Sequence, residues 1–230
     1  MKNKFKNKSV LNRIVDKFQR RNRGRFYLII KNYYYYYLAK LTKNYNEKRA
    51  NILVQIKKSS KIAEIGVWRG EFSEKINFFC KPKELILVDP WIFDNSVRGC
   101  APQVKGIEPL NQNYFNDAKT ETIKKFSNSK NVSIIELFSL EASKKFPDNY
   151  FDYIYIDGEH SYKAVIKDLK SWYPKLKING KIFGDDFYWR EEDNSFSVKK
   201  AYEDFIKENK IKKWCVFKSQ ICIIKENVYR

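Results

Sequence analysis

The sequence has few of the residues that characterise zinc-binding, fibrous or disulfide-stabilised proteins. Its 230 residues include 8 glycines, 6 prolines, 4 cysteines and 1 histidine. With so little glycine and proline, and without an internal repeat, collagen-like and proline-rich architectures are excluded. The cysteines form no C-x-x-C pair and only one histidine accompanies them, so a zinc site of the usual ligand spacing is excluded as well. We expect the cysteines to be free thiols.

Long hydrophobic runs are also missing. The aromatic segment 26–41 is interrupted by Lys31, Asn32 and Lys40, which leaves it too short and too polar to span a bilayer. The basic N-terminus is not followed by an apolar run with a small-residue cleavage site, so we expect no secretory signal peptide. These absences predict a cytoplasmic protein. A basic, tyrosine-rich helix is also compatible with lying on the inner face of the membrane.

Acidic residues are scarce near the N-terminus. Residues 1–60 contain 17 lysines and arginines but only Asp16 and Glu47 as acids, and the whole chain has a formal net charge of +19. Such a charge run is typical of a solvated surface, or of a segment that binds anionic lipid, nucleic acid or a polyanionic substrate. We predict a basic arm with capping helices over residues 1–58 and a core domain over residues 59–230.

The core domain does contain a regular alternation of strand and helix patterns. Short apolar runs predict seven strands, at residues 61–65, 84–88, 132–136, 151–157, 181–185, 214–217 and 221–225. Amphipathic stretches predict helices at residues 71–79, 117–126, 161–172 and 198–208. This order predicts an α/β fold of the Rossmann-like, doubly wound type, whose mostly parallel seven-stranded sheet ends in a C-terminal antiparallel hairpin. Cys215 and Cys222 would lie opposite each other in that hairpin.

Carboxylates follow two of the predicted strands. Asp157 ends the fourth strand, with Glu159 and His160 just after it, and the fifth strand ends at Asp185 and Asp186. Because ligands bind beyond the carboxyl ends of parallel strands, we expect these side chains to meet at one edge of the sheet. Oxygen donors beside an imidazole suit a hard metal ion and proton transfer. Structural alternatives are that Asp157 caps the next helix, that His160 holds this helix in place and that the paired aspartates form a turn.

The first predicted strand runs into a glycine-containing turn at residues 64–70. Gly66 permits a tight backbone turn, and Gly70 permits the close approach of a ligand or a helix. Asp89 ends the second strand, where a carboxylate can accept hydrogen bonds from both hydroxyls of a ribose. The turn lacks the middle glycine of G-x-G-x-x-G, which argues against a pyrophosphate-containing nicotinamide cofactor.

Five segments together resemble a known enzyme family. They are E-I-G-V-W-R-G at residues 64–70, L-V-D-P-W at 87–91, D-G-E-H-S-Y at 157–162, D-L at 168–169 and G-D-D at 184–186. In these segments the chain resembles class I S-adenosylmethionine-dependent methyltransferases. It is most similar to the small metal-dependent O-methyltransferases of sugars and natural products, such as macrocin O-methyltransferase. The resemblance runs from about residue 61 to residue 187 and does not include residues 1–60.

The resemblance implies S-adenosylmethionine as the methyl donor. The cofactor-binding residues that it implies are Glu64, Gly66, Gly70, Asp89, Ser139, Leu140 and Asp157. Glu64 and the two glycines would surround the methionine part of the cofactor, and Asp89 would bind the ribose. The backbone near Ser139 and Leu140 would face the adenine.

The resemblance also implies Mg²⁺ or a similar divalent cation, held by Asp157, Asp185 and Asp186. A hydroxyl bound to such a cation becomes more acidic, so a modest base can remove its proton. His160 is the preferred base, because its pKa range suits proton transfer near neutral pH. Glu159 is the second candidate, since related enzymes place a carboxylate two residues after the metal-binding aspartate. The choice between these two stays open.

The favoured function is O-methylation of a saccharide or a related hydroxyl-bearing acceptor. The irregular segment 90–116 predicts a lid or binding loop. Aromatic residues expected to stack on the acceptor are Trp91, Tyr114, Tyr188 and Trp189, and Arg98 or Arg190 would hold an anionic group on it.

Other functions stay open. The alternatives are methylation of nucleic acid, and a methyltransferase-like binding protein without turnover. Against the first stands D-G-E-H at residues 157–160, where a base-methylating enzyme would have an Asn/Asp-Pro-Pro-Tyr-like motif. Peripheral contact with an anionic membrane and assembly into a homo-oligomer are both compatible with the sequence.

Overall fold

The computed structural model describes Tyr33 and residues 49–93, 111–191 and 193–227. The chain divides into two units, Met1–Val54 and Gln55–Arg230. The described part of the first unit contains a short helix, α1 (Ala50–Leu53). Predictions made for residues 1–48, other than Tyr33, and for residues 94–110 lie outside the described residues, and these include the site assignment of Arg98. The division of the chain at residue 58 stays a prediction.

The second unit is built on a sheet whose strands come from all along the unit. The described strands are β1 (Lys61–Ile65), β2 (Glu84–Val88), β3 (Val132–Ile135), β4 (Phe151–Ile156), β5 (Leu176–Gly184), β6 (Trp214–Phe217) and β7 (Gln220–Ile224). They form one seven-stranded sheet in the order β3-β2-β1-β4-β5-β7-β6. The first five strands are parallel, and β7 is antiparallel to both β5 and β6. The predicted Rossmann-like fold class is confirmed.

Helices connect the parallel strands. They are α2 (Glu71–Lys75), which continues as a π-helical turn (Ile76–Cys80), α3 (Gln112–Phe126), α4 (Ser139–Ser143), α5 (Tyr162–Trp172) and α6 (Ser197–Glu208). The predicted start of α3 at residue 117 was wrong. The helix begins five residues earlier because the Asn111 side chain accepts a hydrogen bond from the Tyr114 backbone N–H and so caps it. Ser161 caps α5 in the same way, by accepting from the Ala164 backbone N–H.

β5 is longer than the sequence predicts. It begins at Leu176 and not at Lys181, and its register with β4 shifts between Phe151 and Tyr153. Asn179 lies inside the strand with a φ of 64°. Asparagine tolerates this left-handed conformation, so the irregularity shifts the pairing register without ending the strand.

The core lies on both faces of the sheet, as expected for parallel strands. β1, β2 and β4 are buried along almost their whole length. On one face, Leu169 and Trp172 of α5 and Phe205 of α6 join Ile154 and Ile182 of the sheet in the main hydrophobic cluster. This rigid, buried sheet fixes the positions of the loops that follow β1, β2, β4 and β5.

The β6–β7 hairpin places Cys215 opposite Cys222, as predicted. The three cysteines within the described residues are free thiols. Burial raises the pKa of Cys222 to about 12, which leaves this thiol unreactive at neutral pH. None of the helices in the described part of the chain combines the length and apolar character that crossing a bilayer requires.

Candidate active site

Two neighbouring strand ends bring three of the candidate residues together. β4 and β5 are parallel, with Ile156 opposite Gly184, so the residues after each strand leave the sheet side by side. His160 Nε2 lies 3.8 Å from Asp157 Oδ1 and 3.6 Å from Asp186 Oδ2. One donor atom from each of these three residues lies within 4.8 Å of the other two. The expected convergence of these side chains is present, and we refer to Asp157, His160 and Asp186 as the acidic cluster.

Asp185 does not share this cluster, although the sequence analysis grouped it with Asp157 and Asp186. Its side chain is only 3% exposed. Its Oδ1 accepts hydrogen bonds from Gln220 Nε2 at 2.7 Å and from the Asp186 backbone N–H at 2.8 Å, and its Oδ2 accepts from the Tyr155 hydroxyl at 2.9 Å. The chain turns at Asp186, whose φ is 48°, so the two neighbouring carboxylates face different surroundings. Asp185 thus orients the loop that carries Asp186.

His160 is half-buried and stacked, and its ring nitrogens make no hydrogen bond within the described residues. The imidazole packs face to face on Trp189, with ring centroids 4.7 Å apart and planes inclined by 15°. Within the described residues, neither Nδ1 nor Nε2 has a hydrogen-bond partner. A buried polar atom without a partner costs about 1–3 kcal/mol, so the structure holds this ring in place without using its hydrogen-bonding capacity. Such an arrangement leaves the nitrogens available to a ligand or a proton.

The structure removes two of the structural alternatives considered for this segment. Ser161, and not Asp157, is the residue that caps α5. The unpaired nitrogens of His160 also make no hydrogen bond to that helix. Neither residue is therefore explained by helix capping.

A narrow cavity adjoins the acidic cluster and has room for about one water molecule. Its lining includes Asp157, Glu159, His160, Asp185, Val198 and Tyr202. Glu159, the second candidate base, thus borders the same space as His160. Tyr202 belongs to α6 and was not among the predicted site residues, because its spacing in the helix marks only the apolar face.

Asp89 organises the cofactor end of the sheet. Its Oδ2 accepts hydrogen bonds from the backbone N–H groups of Val67 and Trp68, both at 2.9 Å, and its Oδ1 accepts from Trp91 N–H at 2.8 Å. Burial raises the pKa of this carboxyl, and the three backbone hydrogen bonds partly offset that effect. A carboxylate has about four acceptor positions, so these bonds leave about one for a ribose hydroxyl. The sequence did not predict that Asp89 would hold the glycine turn.

The two glycines of the turn have different neighbours. Gly66 has a φ of 84°, and a Cβ at this position would overlap the backbone carbonyl of Asp157. Gly70 has a φ of 67°, and its Cβ would lie 3.1 Å from Phe126 Cε2 and 3.3 Å from Thr122 in α3. Gly66 thus joins the glycine turn to the loop after β4 that carries Asp157 and His160, which we call the catalytic loop, while Gly70 permits the approach of a helix. Glu64, just before the turn, is buried within β1.

Trp91 is buried, whereas the sequence analysis predicted that its ring would be exposed and would stack on the acceptor. It is 2% exposed, and its Nε1 donates a hydrogen bond to the Trp68 carbonyl at 2.9 Å. The residue therefore closes the turn that Asp89 holds. Tyr114, also predicted to contact the acceptor, packs against Trp68 with ring centroids 5.3 Å apart.

Ser139 and Leu140, predicted near the adenine, begin α4 immediately beyond β3. Leu140 is exposed, whereas the Ser139 hydroxyl accepts a hydrogen bond from Trp172 Nε1 at 2.8 Å. Ser139 is also hydrogen-bonded to Asp168 in α5. Burial raises the pKa of Asp168 to about 7, and the hydrogen bond from Ser139 partly offsets this. A buried acid therefore lies between the predicted adenine segment and the catalytic loop.

Exposed aromatic rings lie beside the acidic cluster. Tyr188, two residues after Asp186, is 50% exposed, and Tyr162 at the start of α5 is also exposed. Trp189 is half-buried against His160. Arg190 lies over the ring of Phe196, with its guanidinium carbon 5.5 Å from the ring centroid. Of the predicted acceptor-binding residues within the described part of the chain, those at positions 188–190 are the ones next to the cluster.

Comparison with known proteins identifies a family. A protein-family model described as a methyltransferase domain matches residues 63–187, which contain most of β1, all of β2 to β5 and the acidic cluster. No curated protein matches the sequence.

Several solved structures share the fold. The O-methyltransferase NovP is 14% identical with a TM-score of 0.51, and the match covers 73% of this chain and 72% of NovP. A protein assigned as a caffeoyl-CoA O-methyltransferase from Staphylococcus aureus is 18% identical with a TM-score of 0.55, over 93% of this chain and 97% of the other. A Corynebacterium glutamicum protein is 10% identical with a TM-score of 0.57, over 96% and 99%. At these identities the likeness shows the fold alone.

Proposed function

The chain belongs to the methyltransferase domain family and is an S-adenosylmethionine-dependent methyltransferase, and from this premise we propose that it methylates a hydroxyl oxygen of a saccharide-type acceptor with the help of a divalent cation. The observation that supports this proposal is the acidic cluster. Two carboxylates and an imidazole from two neighbouring strand ends lie within 4.8 Å of one another, and the imidazole nitrogens have no other partner in the described residues.

Asp157 and Asp186 are the residues that would hold the cation. Their carboxylates are hard oxygen donors, which Mg²⁺ and Mn²⁺ prefer. A divalent cation bound between them would lower the pKa of a coordinated hydroxyl. Asp185 would orient this pair without binding the cation itself. Its carboxylate accepts a hydrogen bond from the Asp186 backbone N–H and so fixes the loop that carries Asp186.

His160 is the proposed base. Its Nε2 faces both carboxylates, which would stabilise the imidazolium that forms when the ring takes a proton from the acceptor hydroxyl. The stack on Trp189 keeps the ring plane fixed while this happens. S-adenosylmethionine would supply the methyl group, which would pass from its sulfonium sulfur to the deprotonated acceptor oxygen and leave S-adenosylhomocysteine. Alignment of the three reacting atoms supplies much of the remaining rate.

The cofactor would lie beyond β1 and β2. Gly66 brings the glycine turn against the Asp157 backbone, so the methionine part of the cofactor and the acidic cluster would be neighbours. Asp89 retains about one acceptor position for the ribose. Glu64, Gly70, Ser139 and Leu140 complete the proposed cofactor-binding set.

The exposed aromatic rings support a saccharide-type acceptor. Tyr188 presents half of its surface next to the cluster, and a flat aromatic face packs well against the apolar face of a sugar ring. Arg190, beside it, is suited to an anionic group on the same acceptor. We also propose that the basic N-terminal region, with 17 basic residues against two acids over residues 1–60, holds the enzyme at an anionic membrane or glycan.

The central test is a screen of sugar acceptors with isotopically labelled S-adenosylmethionine, with Mg²⁺ or with excess chelator, read by mass spectrometry. We expect a methylated sugar only when the cation is present. Equal turnover in chelator would remove the cation from the mechanism. Methylation of RNA or DNA, with a steep dependence on salt, would instead favour the nucleic-acid alternative.

The roles within the cluster are separated by Mn²⁺ titration in the absence of acceptor. Asp186→Asn should weaken Mn²⁺ binding. His160→Gln should leave Mn²⁺ binding close to that of the wild type while it lowers turnover. If His160→Gln weakens Mn²⁺ binding as strongly as Asp186→Asn does, His160 is a ligand, and Glu159 becomes the base.

A further inference from the structure

Tyr202 is a buried tyrosine in α6 whose hydroxyl has no hydrogen-bond partner within the described residues. It is 1% exposed and lies outside the segment that matches the family model. Its phenol ring covers Gly184, where a Cβ would overlap both the hydroxyl oxygen and the ring carbon that carries it. Because Gly184 directly precedes Asp185 and Asp186, the Tyr202 hydroxyl lies at the base of the loop that carries Asp186.

An unpaired hydroxyl at this depth needs an explanation. A phenylalanine would fill the same space without the cost of a buried donor, so a tyrosine here indicates a partner beyond the protein atoms of the described residues. Tyr202 lines the narrow cavity beside the acidic cluster, and this cavity has room for about one water molecule. The same cavity is lined by Asp157, Asp185 and His160, so a water in it would have the polar partners that buried waters require.

We infer that the cavity holds one ordered water, which accepts a hydrogen bond from the Tyr202 hydroxyl and donates one to the carboxylate of Asp157. Tyr202 is thus a positioning residue, which orients a proposed metal ligand through the water. This inference rests on the proposed function, in which Asp157 holds the cation. Mutation of a residue that hydrogen-bonds to a metal ligand commonly lowers metal affinity by about 10- to 100-fold, so the effect of removing the Tyr202 hydroxyl is measurable.

The electrostatic surroundings agree with this direction of hydrogen bonding. Burial, followed by the negative charges of Asp168, Asp157 and Asp185, raises the pKa of Tyr202. The hydroxyl therefore keeps its proton at physiological pH. It acts as a donor and does not compete with His160 as a base.

The test uses the full chain and the substitution Tyr202→Phe, which keeps the ring above Gly184 and removes only the oxygen. We expect the affinity for Mn²⁺, measured by calorimetry without acceptor, to fall by about tenfold. The melting temperature should change little, because the phenylalanine keeps the ring packed over Gly184. A crystal structure of the wild type should show a water in the cavity, and that of the variant should not.

Tyr150→Phe is the matched control. It also removes one tyrosine hydroxyl, which donates to Glu84 at 2.8 Å. Tyr150 immediately precedes β4, at the opposite end of that strand from the acidic cluster. Mn²⁺ affinity should not change in this variant. Equal Mn²⁺ affinity of Tyr202→Phe and wild type would overturn the positioning role, while the cation requirement of the wild type would still support the proposed function. A dry cavity in the wild-type crystal overturns the inference whether or not the enzyme uses a metal.

Discussion

The two ends of the site differ in how their polar groups are used. At the cofactor end, the Asp89 carboxylate already accepts three backbone hydrogen bonds, and the neighbouring Trp91 indole is buried and paired. At the catalytic end, both nitrogens of His160 and the hydroxyl of Tyr202 have no partner within the described residues. The first end uses its hydrogen bonds to build a rigid turn. The second keeps donors and acceptors available to water, a cation or a proton, and each such group would cost about 1–3 kcal/mol in stability only if it were left without any partner.

This difference indicates that the cofactor end is preorganised, whereas the catalytic end has polar groups available for the reaction. A turn held by its own carboxylate can be ready for the cofactor before binding, which reduces the loss of entropy on association. Groups that must exchange protons or bind a cation cannot be satisfied in advance by the protein. The four substitutions below test whether the two ends respond as this comparison requires.

The largest effect is expected where the two ends touch. Gly66→Ala would place a Cβ on the Asp157 carbonyl at a φ of 84°, so backbone must move on both sides. We expect a loss of about 4 kcal/mol or more in the free energy of unfolding, or failure to fold, measured by denaturant titration. Gly158→Ala is the control, because the nearest atom to its Cβ is Asp168 Oδ2 at an ordinary 3.6 Å. Similar stability of the two variants would show that the two ends are not packed together.

His160→Gln should separate activity from stability at the catalytic end. Loss of a positioned general base typically lowers kcat by about 10²- to 10⁴-fold. The free energy of unfolding should change by less than about 1 kcal/mol, because the ring nitrogens make no hydrogen bond in the described structure. The parallel variant Glu159→Gln should keep most of the activity. If Glu159→Gln is the more damaging of the two, the base assignment is reversed.

Asp168 lies between the two ends and should make stability depend on pH. Its pKa is raised from 3.8 to about 7 by burial, so the folded state binds a proton more tightly than the unfolded state does. Stability from this group is therefore complete below about pH 4 and is lost as the pH rises towards 7. Relative to Asp168→Asn, the wild type should lose roughly 2–4 kcal/mol over this interval. Parallel curves of unfolding free energy against pH for the two proteins would contradict this.

Asp89→Asn should give the smallest change in stability, and it should also affect the cofactor. An asparagine has one acceptor oxygen and a donor group, so at least one of the three backbone N–H groups loses its partner. We expect a loss of about 1–3 kcal/mol in the free energy of unfolding. Affinity for S-adenosylmethionine, measured by calorimetry, should fall with it. Unchanged cofactor affinity in a destabilised variant would restrict Asp89 to holding the turn.

Much of this site could be predicted because the elements that carry it are local patterns. The bounds of β1, β2 and β6 agree with the prediction, since each is a short apolar run. The convergence of Asp157 and Asp186 followed from the rule that parallel strand ends share one edge. The start of α3 was missed because its cap, Asn111, lies in a stretch rich in turn-forming residues, where helix periodicity is interrupted.

Other features could not be predicted because they depend on which way a side chain faces. Asp185 and Asp186 are adjacent and chemically identical, and only the packing of Gln220 and Tyr155 decides that Asp185 faces inward. Trp91 has the sequence character of an exposed ligand-binding ring, yet its Nε1 is paired with Trp68 inside the turn. Tyr202 is indistinguishable by periodicity from any apolar residue on the inner face of α6.

The sequence by itself determined the order of strands and helices, the family and the set of polar residues that follow each strand, because periodicity and chain order are properties of neighbouring residues. Tertiary structure alone decided which of those polar groups have hydrogen-bond partners within the described residues and which do not. Hydrogen-bond partners such as Asp89 with Val67, or neighbours such as Tyr202 and Gly184, come from distant parts of the chain. They meet only when the core closes around the sheet.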